Sequence, residues 1–244
     1  MNFNYIKENI IFEDGTAIIA SSGPSAIEIL TYNVYKDIKM ADVVIYDALV
    51  NQNVLNFAQK KSKLICARKT YSDRACSQND INKWIVKFSK KKLKVLRLKG
   101  GDTSFFSRLS QEVKFLKKNQ INFKIFTGIT AAQESLRVLK TKFFNDSNAC
   151  NFITGHRMVE STNIQINYKM FCKNKGKIII YMGIGQIKNI RENLLRFGKR
   201  LNSKVLVVTN VSLKNEKIFV TNLKNSIEFF KSNAIKPPGI IVIE

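Results

Sequence analysis

A chain of 244 residues, 45% of them hydrophobic, can bury one sizeable core or two smaller ones. Its 41 Lys+Arg outnumber 18 Asp+Glu for a net charge of +23. However, 32 of these are lysines scattered along the whole chain, so the charge reads as compositional drift rather than as the footprint of a nucleic-acid partner. No apolar run approaches the roughly 20 residues of a membrane helix, and the first fifteen residues lack a signal-peptide core. Four cysteines without Cys-x-x-Cys spacing, beside a single histidine, argue against any metal site. The expectation is a soluble cytoplasmic protein with free thiols.

Taken in order, Thr16 to Ser22 is a short apolar run that breaks at Gly23-Pro24, as a buried first strand would. Ile27, Leu30, Val34 and Ile38 recur at near-helical spacing, which predicts a helix over Ser25 to Met40. Ala41 to Tyr46 is a second strand with Asp47 just past its end. Val54 to Lys61 reads as helix, and Lys63 to Ala67 as a third strand leading to Arg68-Lys69. After a polar loop to Ser77, a helix beginning near Gln78 carries Ile81, Trp84, Ile85 and Phe88. Val95 to Leu98 is the next strand, and it runs into Gly100-Gly101-Asp102. Two glycines there let the backbone approach a ligand closely. Asp102 is either a ligand-binding carboxylate or an ordinary helix N-cap. A helix over Ser110 to Asn119, a strand over Phe123 to Phe126 and Gly128-Ile129-Thr130 complete a first domain, residues 1–130.

The second domain, residues 131–244, opens with a helix from Ala131 to Lys140 and a strand from Cys150 to Thr154 that ends in Gly155-His156. Lys177 to Met182 is the strongest strand, Ile187 to Phe197 a helix closed by Gly198, and Lys204 to Asn210 and Lys217 to Val220 are strands without a helix between them. A helix over Ser226 to Ser232 and a strand over Gly239 to Ile243 finish the chain. Alternation in the first half argues a mainly parallel sheet; adjacent strands in the second argue a mixed one. The fold class is therefore α/β in two domains. Small and charged residues follow one strand after another, and if those strands are parallel they converge on one rim. His156 alone is better explained as a polar residue at a strand end than as a catalyst.

Ser22-Gly23-Pro24, Ala41 to Val50 (Ala-Asp-Val-Val-Ile-Tyr-Asp-Ala-Leu-Val), Gln78 to Asn82, Arg97-Leu98-Lys99-Gly100-Gly101-Asp102, Gly128 to Ala132, Phe152 to His156 and Tyr181 to Gly185 resemble, in order, the segments of the tetrapyrrole methylase family. Within it, Tyr-Asp-x-Leu-Val and Arg-Leu-Lys-Gly-Gly-Asp are most similar to the branch that methylates uroporphyrinogen III. The resemblance implies a homodimer whose two α/β domains hold S-adenosylmethionine in the cleft between them. It also implies C-methylation of a tetrapyrrole polycarboxylate to precorrin-2, with S-adenosylhomocysteine as by-product. Position by position, Pro24, Gly100, Gly101, Asp102, Phe105, Thr130, Ala131, Met182 and Val211 match the family's cofactor contacts. Asp47 matches its proton acceptor, Lys69 its proton donor and Arg108 a substrate-side arginine. Methylation of a later precorrin, or a basic nucleic-acid-binding protein on the same fold, are the alternative readings. The chain also departs from the pattern: Gly-Pro-Gly-Asp is here Gly23-Pro24-Ser25-Ala26, and the Pro after Gly-Gly-Asp is Thr103.

Overall fold

The structure of the protein is a computed structural model that describes residues 12–67, 76–143, 149–155, 166–173 and 176–244. It forms two compact units, Met1–Thr130 and Ala131–Glu244. In the first, strands β1 (Ala17–Ser21), β2 (Val43–Tyr46), β3 (Lys63–Cys66), β4 (Val95–Lys99) and β5 (Phe123–Phe126) alternate with helices α1 (Tyr32–Met40), α2 (Gln52–Leu55), α3 (Gln78–Lys90) and α4 (Leu109–Lys118). The sheet order is β3-β2-β4-β1-β5 and every pairing is parallel. The two central strands, β1 and β4, are buried at every position, whereas the edge strands β3 and β5 are partly exposed. A central parallel strand is covered on both faces, which explains the continuous apolar run of β1.

The two faces carry separate cores. Ile18, Ala20, Leu96 and Leu98 pack with Val34 and Ile38 of α1. Ala17, Ile19 and Val95 pack with Ile81 and Ile85 of α3 and Leu116 of α4 on the other face. The neighbouring strands β1 and β4 therefore send their following helices to opposite faces. Where that happens a crevice opens at the carboxyl ends of the two strands, and this is where α/β sheets place ligands.

Two helices are shorter than the periodicity predicts. The chain over Ser25 to Met40 makes a three-residue 3-10 turn, Ile27–Ile29, and α1 starts only at Tyr32. Ser25 sits at φ 93°, and Leu30 and Thr31 are extended with ψ near 129° and 146°. Apolar side chains at helical spacing meet the core here without a continuous helix. The predicted helix over Val54 to Lys61 reduces to the single turn of α2, followed by i→i−3 bonds from Phe57 N–H to Val54 and Ala58 N–H to Leu55. By contrast α3 begins where expected, at a capping box in which Ser77 Oγ accepts from Asp80 N–H and the Asp80 carboxylate accepts from Ser77 N–H, both at 3.1 Å.

The second unit contains α5 (Ala131–Val138), β6 (Cys150–Thr154), α6 (Tyr168–Lys173), β7 (Lys177–Tyr181), α7 (Ile187–Arg196), β8 (Lys204–Thr209), β9 (Lys217–Asn222), α8 (Ser226–Ser232) and β10 (Gly239–Ile243). Helix α6 has no counterpart among the predicted elements. Its sheet is mixed, in the order β6-β7-β10-β8-β9: β6 and β7 are parallel, and β10 runs antiparallel to β7 and β8, as β9 does to β8. Ile178, Ile180, Val205, Val207 and Ile241 face α7 and α8; Ile179, Leu206, Ile240 and Val242 face α5.

Candidate active site

At the carboxyl edge of the first sheet the loops after β1 and β4 are fastened to one another. Gly23 and Gly101 exchange backbone hydrogen bonds of 3.1 and 2.9 Å, and Ser21 Oγ accepts from Thr103 N–H at 2.8 Å while donating to the Phe126 carbonyl. Gly101 has φ 72°, a left-handed conformation, and a Cβ built on it would meet nothing within 4 Å. Its α-carbon thus faces open space at the crevice. The buried Thr103 hydroxyl beside it has no hydrogen-bond partner among the described residues. An open glycine face next to an orphaned buried hydroxyl fits a polar ligand laid along this loop.

Asp102 is buried, and its Oδ1 accepts from Ser104 N–H and Ser104 Oγ, each at 2.7 Å. This is an Asx turn that shapes the loop. The N-cap of α4 is instead Arg108, so the helix-capping role for Asp102 does not hold. Phe105 and Phe106 meet edge-to-face with ring centroids 6.5 Å apart. Phe106 and Arg108 occupy left-handed backbone positions at φ 47° and 59°, and Arg108 is exposed. Strained non-glycine conformations concentrated in one loop are characteristic of sites whose shape is imposed by the surrounding structure.

Asp47 stands at the end of β2, beside β4. Its N–H donates to the Leu98 carbonyl at 3.1 Å, prolonging the ladder, and its carboxylate Oδ1 accepts from Arg97 Nη2 at 2.5 Å. Its side chain is 33% exposed, whereas that of Arg97 is 2% exposed. Arg97 also donates through Nε to Glu112 Oε1 at 3.1 Å and through Nη1 to the carbonyls of Ile45 and Leu98 at 3.3 Å. The same Glu112 oxygen accepts from Lys99 Nζ at 2.9 Å and Gln78 Nε2 at 3.0 Å. Burial would pull the Arg97 guanidinium down, but Asp47 and Glu112 beside it outweigh this and hold it above the ordinary arginine value. Lys99 is pushed below the ordinary lysine value by burial and then by Arg97. Two cations and two carboxylates form a network with no net formal charge beneath the crevice.

Of the remaining predicted residues, Pro24 is buried directly after the Gly23 bridge, and Gly100 packs so closely on the β2 loop that a Cβ would lie 2.8 Å from Leu49 Cβ. Thr130 is buried and Ala131 opens α5. Met182 and Val211 follow β7 and β8, which are parallel to each other through their shared antiparallel partner β10. With Gly155 after β6, they lie on one edge of the second sheet. Met182 is half exposed at φ 51°, and buried Val211 lies between two left-handed residues, Asn210 and Ser212. Lys69 and His156 fall outside the described residues. Arg97 was visible in the sequence only as part of a motif, and Lys99 and Glu112 carried no assignment. The available signal was two cations at alternate positions of an otherwise apolar strand, which, if buried, require an anion nearby.

A family model for tetrapyrrole (corrin/porphyrin) methylases matches residues 17–226. The chain belongs to this family. It is 33% identical over 232 residues to a uroporphyrinogen-III C-methyltransferase of Methanocaldococcus jannaschii, covering 94% of this chain and 95% of that protein. It is 28% identical to a siroheme synthase of Pseudoalteromonas translucida, of which it spans only 49%. So the chain corresponds to about half of the siroheme synthases it matches and to nearly all of the stand-alone methylase. Among solved structures, a Thermus thermophilus uroporphyrin-III C-methyltransferase complexed with S-adenosylhomocysteine superposes with a TM-score of 0.79 at 24% identity, over 93% of this chain and 96% of that one. This tetrapyrrole methylase, with one parallel and one mixed sheet, thus has the fold of that solved structure.

Proposed function

We propose that this tetrapyrrole methylase transfers methyl groups from S-adenosylmethionine to pyrrole carbons of uroporphyrinogen III, giving precorrin-2. The reading is carried by the match to the Methanocaldococcus jannaschii enzyme over almost the full length of both chains. It is supported by the open Gly101 face and by the Thr103 hydroxyl, unpaired among the described residues, which suit a polar cofactor along the loop after β4. Pro24, Gly100, Gly101, Asp102, Phe105, Thr130, Ala131, Met182 and Val211 are the proposed cofactor-binding residues. Bound S-adenosylmethionine supplies an electrophilic methyl group.

The chain's own task is to orient the macrocycle and move a proton. A new carbon–carbon bond forms as the sulfur–carbon bond breaks, and one proton leaves the macrocycle. Asp47, one-third exposed and held at one oxygen, is the proposed acceptor, and Lys69 the proposed donor. Arg108 is the proposed partner of a carboxylate of the polyanionic substrate, and its exposure supports this. We also propose a homodimer in the cytoplasm; the four unpaired cysteines suit a reducing compartment. Anaerobic incubation with uroporphyrinogen III and S-adenosylmethionine should yield a product heavier by two methyl groups. Absence of methylated product, or activity only on a later precorrin, overturns this assignment.

A further inference from the structure

Glu112 is 0% exposed and belongs to none of the segments that carry the family resemblance, yet it gathers Arg97, Lys99 and Gln78 on one oxygen. Its other oxygen, Oε2, has no hydrogen-bond partner among the described residues. A buried ion network of this kind is costly, and apolar residues of similar volume in place of Arg97, Lys99 and Glu112 together would be at least as stable. The network therefore calls for a role beyond stability. Arg97 is fixed at every nitrogen: Nε by Glu112, Nη1 by two carbonyls of β2 and β4, and Nη2 by Asp47. A planar guanidinium can make these four bonds in one fixed geometry, and an ammonium, with three donors on one nitrogen, cannot. Asp47 is thereby held at its backbone, through the Leu98 carbonyl, and at its side chain, through Arg97.

We propose that Arg97, aligned by Glu112 of α4, is the positioning residue that presents the Asp47 carboxylate to the substrate. The inference rests on the reading of Asp47 as proton acceptor. A base works only within hydrogen-bond reach of the proton it takes, and a misplacement of about 1 Å can cost about 100-fold in rate. Lys99 completes the arrangement by balancing Glu112, so that Arg97 remains available to Asp47.

The test is a mutant cycle on the full chain, combining Glu112→Gln and Arg97→Lys each with Asp47→Asn. Alone, each of the first two should lower kcat by about 10- to 100-fold, with the KM for uroporphyrinogen III and the Kd for S-adenosylhomocysteine changed by less than about 2-fold. In the Asp47→Asn background each should cost less than about 2-fold more, because the carboxylate they position is already gone. Losses that multiply fully in that background would show a merely structural role and overturn the proposal. So would an Arg97→Lys variant that retains wild-type kcat. If Glu112→Gln does not fold, Arg97→Lys, which keeps the charge, decides alone. Failure of the functional reading looks different: the wild type itself then makes no methylated product, and the positioning role falls with it.

Discussion

Asp37 should make the first unit less stable as pH rises. It lies on α1 between the buried Val34 and Ile38, is 2% exposed, and its Oδ2 has no hydrogen-bond partner among the described residues. Burial raises its carboxyl from 3.8 to about 6, against the opposing pull of Lys36 and Lys124. Because the folded value lies above the unfolded one, the folded state binds more protons between them. The associated stability is complete below 3.8 and is lost as pH rises through about 6. The interval, at about 1.4 kcal/mol per pH unit, amounts to about 3 kcal/mol. Asp37→Asn mimics the protonated acid at every pH. Urea unfolding followed by the fluorescence of the single tryptophan, Trp84, which packs in the first unit, reports on this unit directly. At pH 4 variant and wild type should be nearly equal in stability; by pH 7.5 the variant should lead by about 2–3 kcal/mol. A difference that stays constant from pH 4 to 8 would refute the reasoning, since only a proton taken up by Asp37 makes it vary.

Three further outcomes are expected. Ser25 holds a glycine-like φ of 93° where the family pattern has glycine, so Ser25→Gly should raise stability by about 0.5–1 kcal/mol after glycine's greater unfolded-state freedom is subtracted; an unchanged or lower urea midpoint contradicts this. Asp102→Ala should cost about 1 kcal/mol and weaken S-adenosylhomocysteine binding by loosening the loop, whereas Asp102→Asn, which keeps an acceptor for Ser104, should cost less than about 0.5 kcal/mol. Equal losses, read by calorimetry and thermal unfolding, would argue against a shaping role. At Gly155 a Cβ would lie 2.6 Å from Gly183 Cα and 3.0 Å from the Met182 carbonyl, both backbone atoms. Gly155→Ala should therefore destabilise the second unit by about 1–3 kcal/mol and displace the loop bearing Met182, and full retention of thermal stability would contradict the packing.

The elements legible in the sequence were those where local and global requirements agree. The buried strand β1 and the Ile178 to Ile180 core of β7 appear as apolar runs, β4 as an apolar strand broken by Arg97 and Lys99, and α3 announces itself by the spacing of Ile81 and Ile85. Where they conflict, the periodicity misled: Ile27 and Leu30 pack against the core from a 3-10 turn and an extended segment. Helix α6 is only six residues long, too short for a periodic pattern to register.

For the site the division is similar. By itself the sequence determined the strand-end positions of Gly23, Asp47, Gly100 to Asp102, Thr130 and Met182, because small or charged residues interrupting apolar runs are local signals. It also carried the family pattern in which they recur. Only the tertiary structure decided that Asp102 shapes its own loop, that the Thr103 hydroxyl is buried without a partner among the described residues, and that Arg97, fifty residues from Asp47, holds that carboxylate while Glu112 holds Arg97. The physical reason is that a parallel sheet joins residues distant in the chain through strand register. A buried charge can also be satisfied by any element that crosses above it, so its partner has no fixed spacing in the sequence.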